Sequence, residues 1–461
     1  MGTDRLKKYL ESPVSPLSLE IFRVITGLLF FIIILRFFIY GWIDEFLISP
    51  RFLFPYFGFA WLPRPEPFVV YGAFFLAGLS ALGIMTGLWY RWSAFLFFLC
   101  FTYTESLEKT IYLNHYYFVS LLSFCMIFLP AGKCFCLSFS RERPQPLRPV
   151  AFFGIVILRI QIGSVYFFAG IAKIKPDWLS EGLPLGIWLR PWFELITVYL
   201  PVSSEFLARS GGFVAAVFDL CVPFLLWNRS TRLAAYGSLI LFHTFTWYQF
   251  HLGMFPVMMS ALTLIFFPPD WPGPLLKLSG ISGAWFRHLP ASVMIAQPVR
   301  TSLYVLFLVF FGMQALLPFR HLLYQGNVLW TEQGFRFSWN VMLMEKNGYL
   351  RYRINEGHET RIIYPEDFLS PLQYKMVATQ PDMILQLAHK IRDESKGPGV
   401  SEPAIFADSF VSLNGRPSQR FIDPDVNLSV IGDQFFHKSW IIPESLSENL
   451  RGLSDRRSSD Y

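Results

Sequence analysis

Tyr166-Phe-Phe-Ala-Gly-Ile-Ala-Lys173-Ile-Lys175-Pro-Asp177-Trp178 closes an apolar run that begins near Val150, and its reading decides the fold. The run is long enough for a membrane-spanning helix. It ends in a lysine that still falls within the apolar helical pattern. Pro176 then stops the helix, and Asp177-Trp178 has the composition of a water interface. An ammonium at such a place either snorkels outward or is held inside the bundle as an amine. Lys175 fits the first description. Lys173, flanked by Ala-Gly-Ile-Ala, fits the second.

The rest of the chain agrees with a lipid solvent. Of 461 residues, 53% are hydrophobic, 18% aromatic and only 16% charged, against about 25% charged in soluble domains. The abundance of Phe and Trp suits lipid contact and interfacial belts. A net charge of +6 is the excess that basic cytoplasmic loops confer on a membrane protein, so no nucleic-acid partner is expected. All five cysteines lie in or beside apolar segments, so no disulfide framework is implied. Cys134-Phe-Cys136 lacks a second ligand pair, and no metal site is expected.

Apolar spans are expected near 19–41, 69–90, 92–105, 111–130, 150–172, 213–228, 232–250, 253–268 and 300–318. The third and eighth are short, so the count is about eight or nine. With nine, Lys and Arg favour one set of alternate loops by 13 to seven. That bias puts the N-terminus in the cytoplasm and the C-terminus outside. From about Arg320 the pattern changes to short aromatic or β-branched segments at 335–344, 350–355, 360–364, 405–413 and 419–422, bounded by turn residues. Helical spacing covers 371–394. The fold expected is an α-helical multi-pass membrane domain over 1–320 that holds the active site. A β-rich extramembrane, extracytoplasmic domain follows over 321–445, then a disordered tail over 446–461.

This topology brings several polar groups to one depth in the outer half of the bilayer. Asn114 and His115 fall near the outer end of the fourth span, Lys173 at that of the fifth, His243 within the seventh and His251 near its outer end. Ionisable groups inside spans are rare and face a cavity or a partner. Taken singly, an intramembrane histidine is ordinary inter-helix glue and a terminal lysine snorkels. Arg23, Arg36 and Arg159 read as helix-end anchors or structural pairs, with Asp219 as a counter-ion for one of them. The convergence of a lysine, an asparagine and two histidines is what marks a site.

Several spaced motifs carry a resemblance: Tyr112-Leu-Asn114-His115-Tyr116, the stretch quoted above, and His243 through Phe255. Trp330-Thr-Glu-Gln-Gly-Phe335-Arg-Phe-Ser338-Trp339, Ser401-Glu402-Pro403, Val411-Ser412-Leu-Asn414, Gln419-Arg420-Phe-Ile-Asp423-Pro424 and Ser439-Trp440 continue it. In these the chain resembles the vitamin K-dependent gamma-glutamyl carboxylases and their bacterial relatives with the horizontally transferred transmembrane (HTTM) domain. The similarity runs from the first span to about Pro443.

The resemblance implies a membrane enzyme, in a bacterial inner membrane, that couples oxidation of reduced vitamin K (phylloquinone or menaquinone hydroquinone) by O2 to carboxylation of peptide glutamate with CO2. The glutamate γ-carbon is too weak an acid for any side-chain base, so the energy has to come from the quinol. Lys173 is then the catalytic base, Asn114 and His115 the polar pair on the hydroquinone side, and His243 a further active-site histidine; His251 completes the cofactor-binding set. Trp330, Phe335, Ser338, Trp339 and Met344 fall in the segment near the glutamyl substrate. A glutamate-containing peptide or protein and a quinone reductase are the implied partners. Phe335 and Met344 align where animal enzymes have a tyrosine and a histidine, which removes two hydrogen-bonding groups; Arg336, Arg351 and Arg420 are the candidate replacements. The disulfide of the animal enzymes has no counterpart in the C-terminal part. Two alternatives stand beside this reading: a quinone-dependent epoxidase or oxidoreductase that carboxylates nothing, and a non-catalytic membrane scaffold or peptide-maturation factor.

Overall fold

The computed structural model describes residues 2–132, 148–278, 298–356, 359–395 and 403–444. Cys134, Cys136, Ser401, Glu402 and the tail expected over 446–461 lie outside the described residues. The principal helices of the N-terminal part are Leu17–Ile39 (α1), Pro67–Thr86 (α2), Tyr90–Leu107 (α3), Asn114–Ile127 (α4), Phe153–Ala172 (α5), Ser204–Trp227 (α6), Arg232–Phe250 (α7), Phe255–Leu262 (α8) and Thr301–Leu316 (α9). Among the described residues, five helices are long and apolar enough to cross a membrane: α1, α2, α5, α6 and α9 with its continuation to Leu323. The protein is therefore a membrane protein. The other expected spans coincide with helices that are less apolar (α3, α7) or short, 14 residues for α4 and eight for α8.

α5 is the axis of the bundle. Of its span 78% is buried within the protein, against 17% for the span that begins with α9, as expected of a helix that is apolar all round. The helix stops where the sequence says it should. Lys173 is its C-cap, Lys175 is extended, and Pro176 opens the short helix Pro176–Leu179. Gly170 permits the closest approach to this end: a Cβ there would lie 2.8 Å from the backbone nitrogen of Leu220. Only glycine lets α6 come so near, and the neighbour of Leu220 is Asp219.

Two of the three intramembrane arginines are structural pairs. Arg23 meets Glu20 at 3.1 Å and donates to the carbonyls of Ile84 and Met85 at 2.6 and 2.7 Å, which caps the end of α2. Arg159 donates to the carbonyls of Ile265 and Phe267, each at 3.0 Å.

The C-terminal region holds an antiparallel sheet of strands Lys346–Glu356 (β1), Glu359–Ile363 (β2), Ala404–Leu413 (β3) and Gln419–Arg420 (β4), in the order β2-β1-β3-β4. Burial alternates along β3, with Ile405, Ala407, Ser409, Val411 and Leu413 inward. Helices Pro371–Thr379 (α10) and Pro381–Ser395 (α11) bring Val377, Ala378, Met383, Ile384, Leu387 and Ala388 into the same core. The single helix expected over 371–394 is thus two, because Pro381 offers no N–H and biases Gln380 out of the helical region.

The strand expected over 335–344 is not one. Phe337, Trp339 and Met342 take left-handed φ of 62°, 56° and 51°, which no strand accommodates. Its alternating aromatics mimic a β pattern, yet they pack on α4 and on Tyr112 just before it. The Phe337 ring sits 5.0 Å from that of Tyr117 and 5.1 Å from that of Tyr112; Trp339 lies 5.0 Å from Tyr117. The region is joined to the bundle just beyond Lys173. Both carboxylate oxygens of Asp177 accept from Arg416 at 2.8 Å, and Asn414 donates at 2.7 Å.

Candidate active site

Three helical faces enclose a cavity of about 460 Å³ at the bundle end that carries the C-terminal region. Tyr166, Ala169 and Lys173 of α5 recur at i, i+3, i+7 and so share a face. His243, Thr246 and Phe250 of α7 repeat the spacing, and Gly211, Ala215, Phe218 and Asp219 come from α6. Trp178, Trp188, Phe193 and Phe255 close the sides, and Val341 and Met342 of the 335–344 loop form the roof. The lining is overwhelmingly apolar.

Its four titratable groups are paired and buried. Lys173 Nζ donates to Asp219 Oδ2 at 2.7 Å and to the Ala169 carbonyl at 3.3 Å, and lies 5.5 Å from the Trp178 ring centroid. Tyr166 Oη and His243 Nε2 are 2.7 Å apart. Asp219 is therefore the counter-ion of Lys173 and not of an arginine. The expectation failed because the partner is set by the approach of α6 at Gly170, which no local pattern in the sequence announces. Lys175, expected to snorkel outward, is instead folded back on the helix end. It is half-buried and donates to the Ala172 carbonyl at 2.9 Å, and burial pulls its amine down to about 8.

Asn114, His115 and His251 lie together in an adjoining cavity of about 390 Å³ that shares Leu252, Phe255, Val341 and Met342 with the first. Asn114 donates to the Asn340 carbonyl and accepts from Tyr112, both at 3.1 Å. The sequence-predicted residues thus fall in two compartments with a common wall: Lys173 and His243 in one, Asn114, His115 and His251 in the other.

A third space, a groove of about 540 Å³, is lined by Phe335 and Met344 together with Asn114, Trp188, Lys375 and Gln380. Asn114 opens on the second compartment and Trp188 on the first. Trp330, Ser338 and Trp339 line none of these spaces. Trp330 is buried and donates to the Ile442 carbonyl at 2.8 Å; Ser338 donates to the Gly334 carbonyl at 2.7 Å; Trp339 is buried against α4.

The arginines expected to replace the missing groups are already engaged. Arg336 meets Asp382 at 2.8 Å and also holds Gln380. Lys109 joins the same carboxylate at 2.6 Å. Burial would push the Asp382 carboxyl up, but Arg336 and Lys109 hold it well below the usual carboxylate range. Arg351 pairs with Asp408 at 3.0 Å, and Arg420 stacks 5.0 Å over the Phe410 ring. Asp219, Tyr166, Trp188, Val341 and Met342 were missed by the sequence reading as site residues. Asp219 alone left a signal, as the one acidic residue in the interior of its apolar span.

Two family models match the chain. That of the HTTM domain covers residues 11–271, and that of the vitamin K-dependent gamma-carboxylase lumenal domain covers residues 299–447. No solved structure matches it.

Proposed function

Because the chain belongs to the vitamin K-dependent gamma-carboxylase family, we propose that it couples oxidation of a reduced naphthoquinone by O2 to carboxylation, with CO2, of a glutamate in a peptide or protein. The observation that carries this reading is a buried Lys173–Asp219 pair in an otherwise apolar cavity.

The residues present fit such a ligand. A volume of about 460 Å³ lies within the range of small-molecule sites, about 300–1,000 Å³, and the apolar walls suit a fused aromatic ring with a hydrocarbon tail. Lys173, Tyr166 and His243 would hold it, with Asn114, His115 and His251 as further donors from across the shared wall. When bound, a reduced naphthoquinone supplies, through its oxidation by O2, the driving force for removing a γ-proton that no side chain can take. Lys173 and Asp219, 2.7 Å apart, share one transferable proton: with it on Asp219 Oδ2, the neutral Lys173 amine would accept a ligand hydroxyl proton at Nζ, and the ammonium so formed would stay hydrogen-bonded to Asp219. Trp178, Phe250 and Phe255 keep water out, which strengthens the field of the pair. Phe335 and Met344 supply apolar contact to the substrate chain in the groove.

On this reading residues 1–320 form the membrane part and 321–445 the peptide-handling part, with α3, α4, α7 and α8 completing eight or nine spans. The protein sits in a bacterial inner membrane with its N-terminus cytoplasmic; a reporter fused after Tyr461 is active only outside the cytoplasm. A quinone reductase returns the hydroquinone.

The test is a nanodisc preparation given phylloquinol or menaquinol, O2, 14C-bicarbonate and a glutamyl peptide. Label fixed on glutamate, and lost in Lys173→Ala, is the expected result. Phe335 and Met344 offer no strong hydrogen bond to a glutamyl carboxylate, which favours one alternative. Quinol turnover without fixed label would make the protein an epoxidase or oxidoreductase. No turnover, with Lys173 replaceable, would leave a scaffold or peptide-maturation factor.

A further inference from the structure

The groove is lined by one exposed cation, Lys375, and the adjoining compartment of Asn114 contains a second cation. Arg36, in the last turn of α1, reaches that compartment beside His115 and His251. Among the described residues its guanidinium meets no carboxylate and donates no hydrogen bond; it stacks on Trp42 at 5.0 Å and on Tyr40 at 5.8 Å. The backbone is shaped around it. His251 and Gly253 adopt φ of 50° and 60°, and a Cβ on Gly253 would lie 3.4 Å from Arg36 Nη1. His115 rests against the rings of Tyr116 and Phe255, and among the described residues neither its ring nitrogens nor those of His251 have a hydrogen-bond partner. Three nitrogen-bearing side chains thus face one cavity unpaired, whereas Asn114 beside them is hydrogen-bonded through both Oδ1 and Nδ2.

Resting on the carboxylase reading above, we infer that Arg36, with His115 and His251, forms a carboxylate-binding site between the groove and the Lys173 cavity. A guanidinium pre-stacked on aromatic rings presents its N–H fork to a planar anion and loses little freedom on binding it. The compartment shares Leu252, Phe255, Val341 and Met342 with the Lys173 cavity, so a carboxylate held at Arg36 lies next to the proton-transfer chemistry. Asn114, common to groove and compartment, marks the way in. The anion is the glutamyl side chain or bicarbonate; both have the same head group, and the experiment separates them.

The test uses the full chain in nanodiscs without quinol. A fluorescent glutamyl peptide and its glutamine counterpart are titrated against wild type, Arg36→Met and Arg36→Lys. Wild type binds the glutamyl form about tenfold tighter, a preference that one charge-assisted pair supplies. Arg36→Met, which keeps the packing on Trp42, equalises the two; Arg36→Lys, which keeps the charge at the helix end, retains part of the gap and reports on folding. If instead the peptides bind alike in wild type, and the KM for bicarbonate in the label-fixation assay rises in Arg36→Met, the site takes bicarbonate. A glutamyl preference and a bicarbonate KM both unchanged in Arg36→Met overturn the proposal, even where label is fixed on glutamate. An Arg36-dependent preference without fixed label keeps this site and removes the carboxylase reading.

Discussion

Lys173 and Asp219 stand 46 residues apart in the chain and 2.7 Å apart in the fold, with side-chain exposures of 7% and 5%. Removing one member of such a pair leaves a buried charge, at about 3–5 kcal/mol, whereas replacing both with apolar groups costs far less. Lys173→Met and Asp219→Leu should each lower stability by roughly that amount, and the double variant by clearly less than the sum. Denaturant titrations in detergent measure the cycle; simple additivity would mean that the two groups do not interact.

Lys175 is the control. It donates to the Ala172 carbonyl and lines no part of the Lys173 cavity. Lys175→Ala should keep quinol turnover within about twofold, while Lys173→Ala loses at least about 100-fold, as removal of a general base does. The reverse ranking, measured as quinol consumption, would assign the chemistry to the wrong lysine.

Glu108 makes the stability of the assembly depend on pH. Burial raises its carboxyl to about 7, opposed by the N–H groups of Thr110 and Phe54 and the amide of Gln373. The folded protein therefore retains a proton that the unfolded chain releases between about 4.5 and 7. That stabilisation is full below about 4.5 and is lost as pH rises through about 7, and a shift of this size is worth about 3 kcal/mol. Melting temperature should fall across this window in wild type and fall less steeply in Glu108→Gln.

Phe335 and Met344 line the groove but offer it no strong hydrogen bond. Phe335→Tyr combined with Met344→His should raise the CO2 fixed on a free glutamyl peptide per quinol oxidised. One or two neutral hydrogen bonds predict a rise of about two- to tenfold. A ratio that does not move would show that the glutamate is already fully held.

Much of this architecture was legible in the chain. The β segments at 360–364 and 405–413 fall within a residue of Glu359–Ile363 and Ala404–Leu413, and 350–355 lies inside the longer Lys346–Glu356, because alternation and turn residues are local signals. Lys173 was recognisable as buried from its apolar flanks. What escaped is non-local. The 335–344 stretch owes its left-handed residues to packing of Phe337 and Trp339 on Tyr117, and the engagement of Arg336 depends on Asp382, 46 positions away. A guanidinium at a helix end reads the same in sequence whether it faces lipid, water or, as with Arg36, a cavity.

The loop that places Phe335 and Met344 in the groove also carries Val341 and Met342, the ceiling of both inner compartments. One short segment is therefore the floor of one room and the lid of two others. A shift of this segment at the groove would move part of the wall of both inner compartments. Substitutions at 335–344 that reshape the groove would therefore also alter the ceiling over Lys173 and over Arg36.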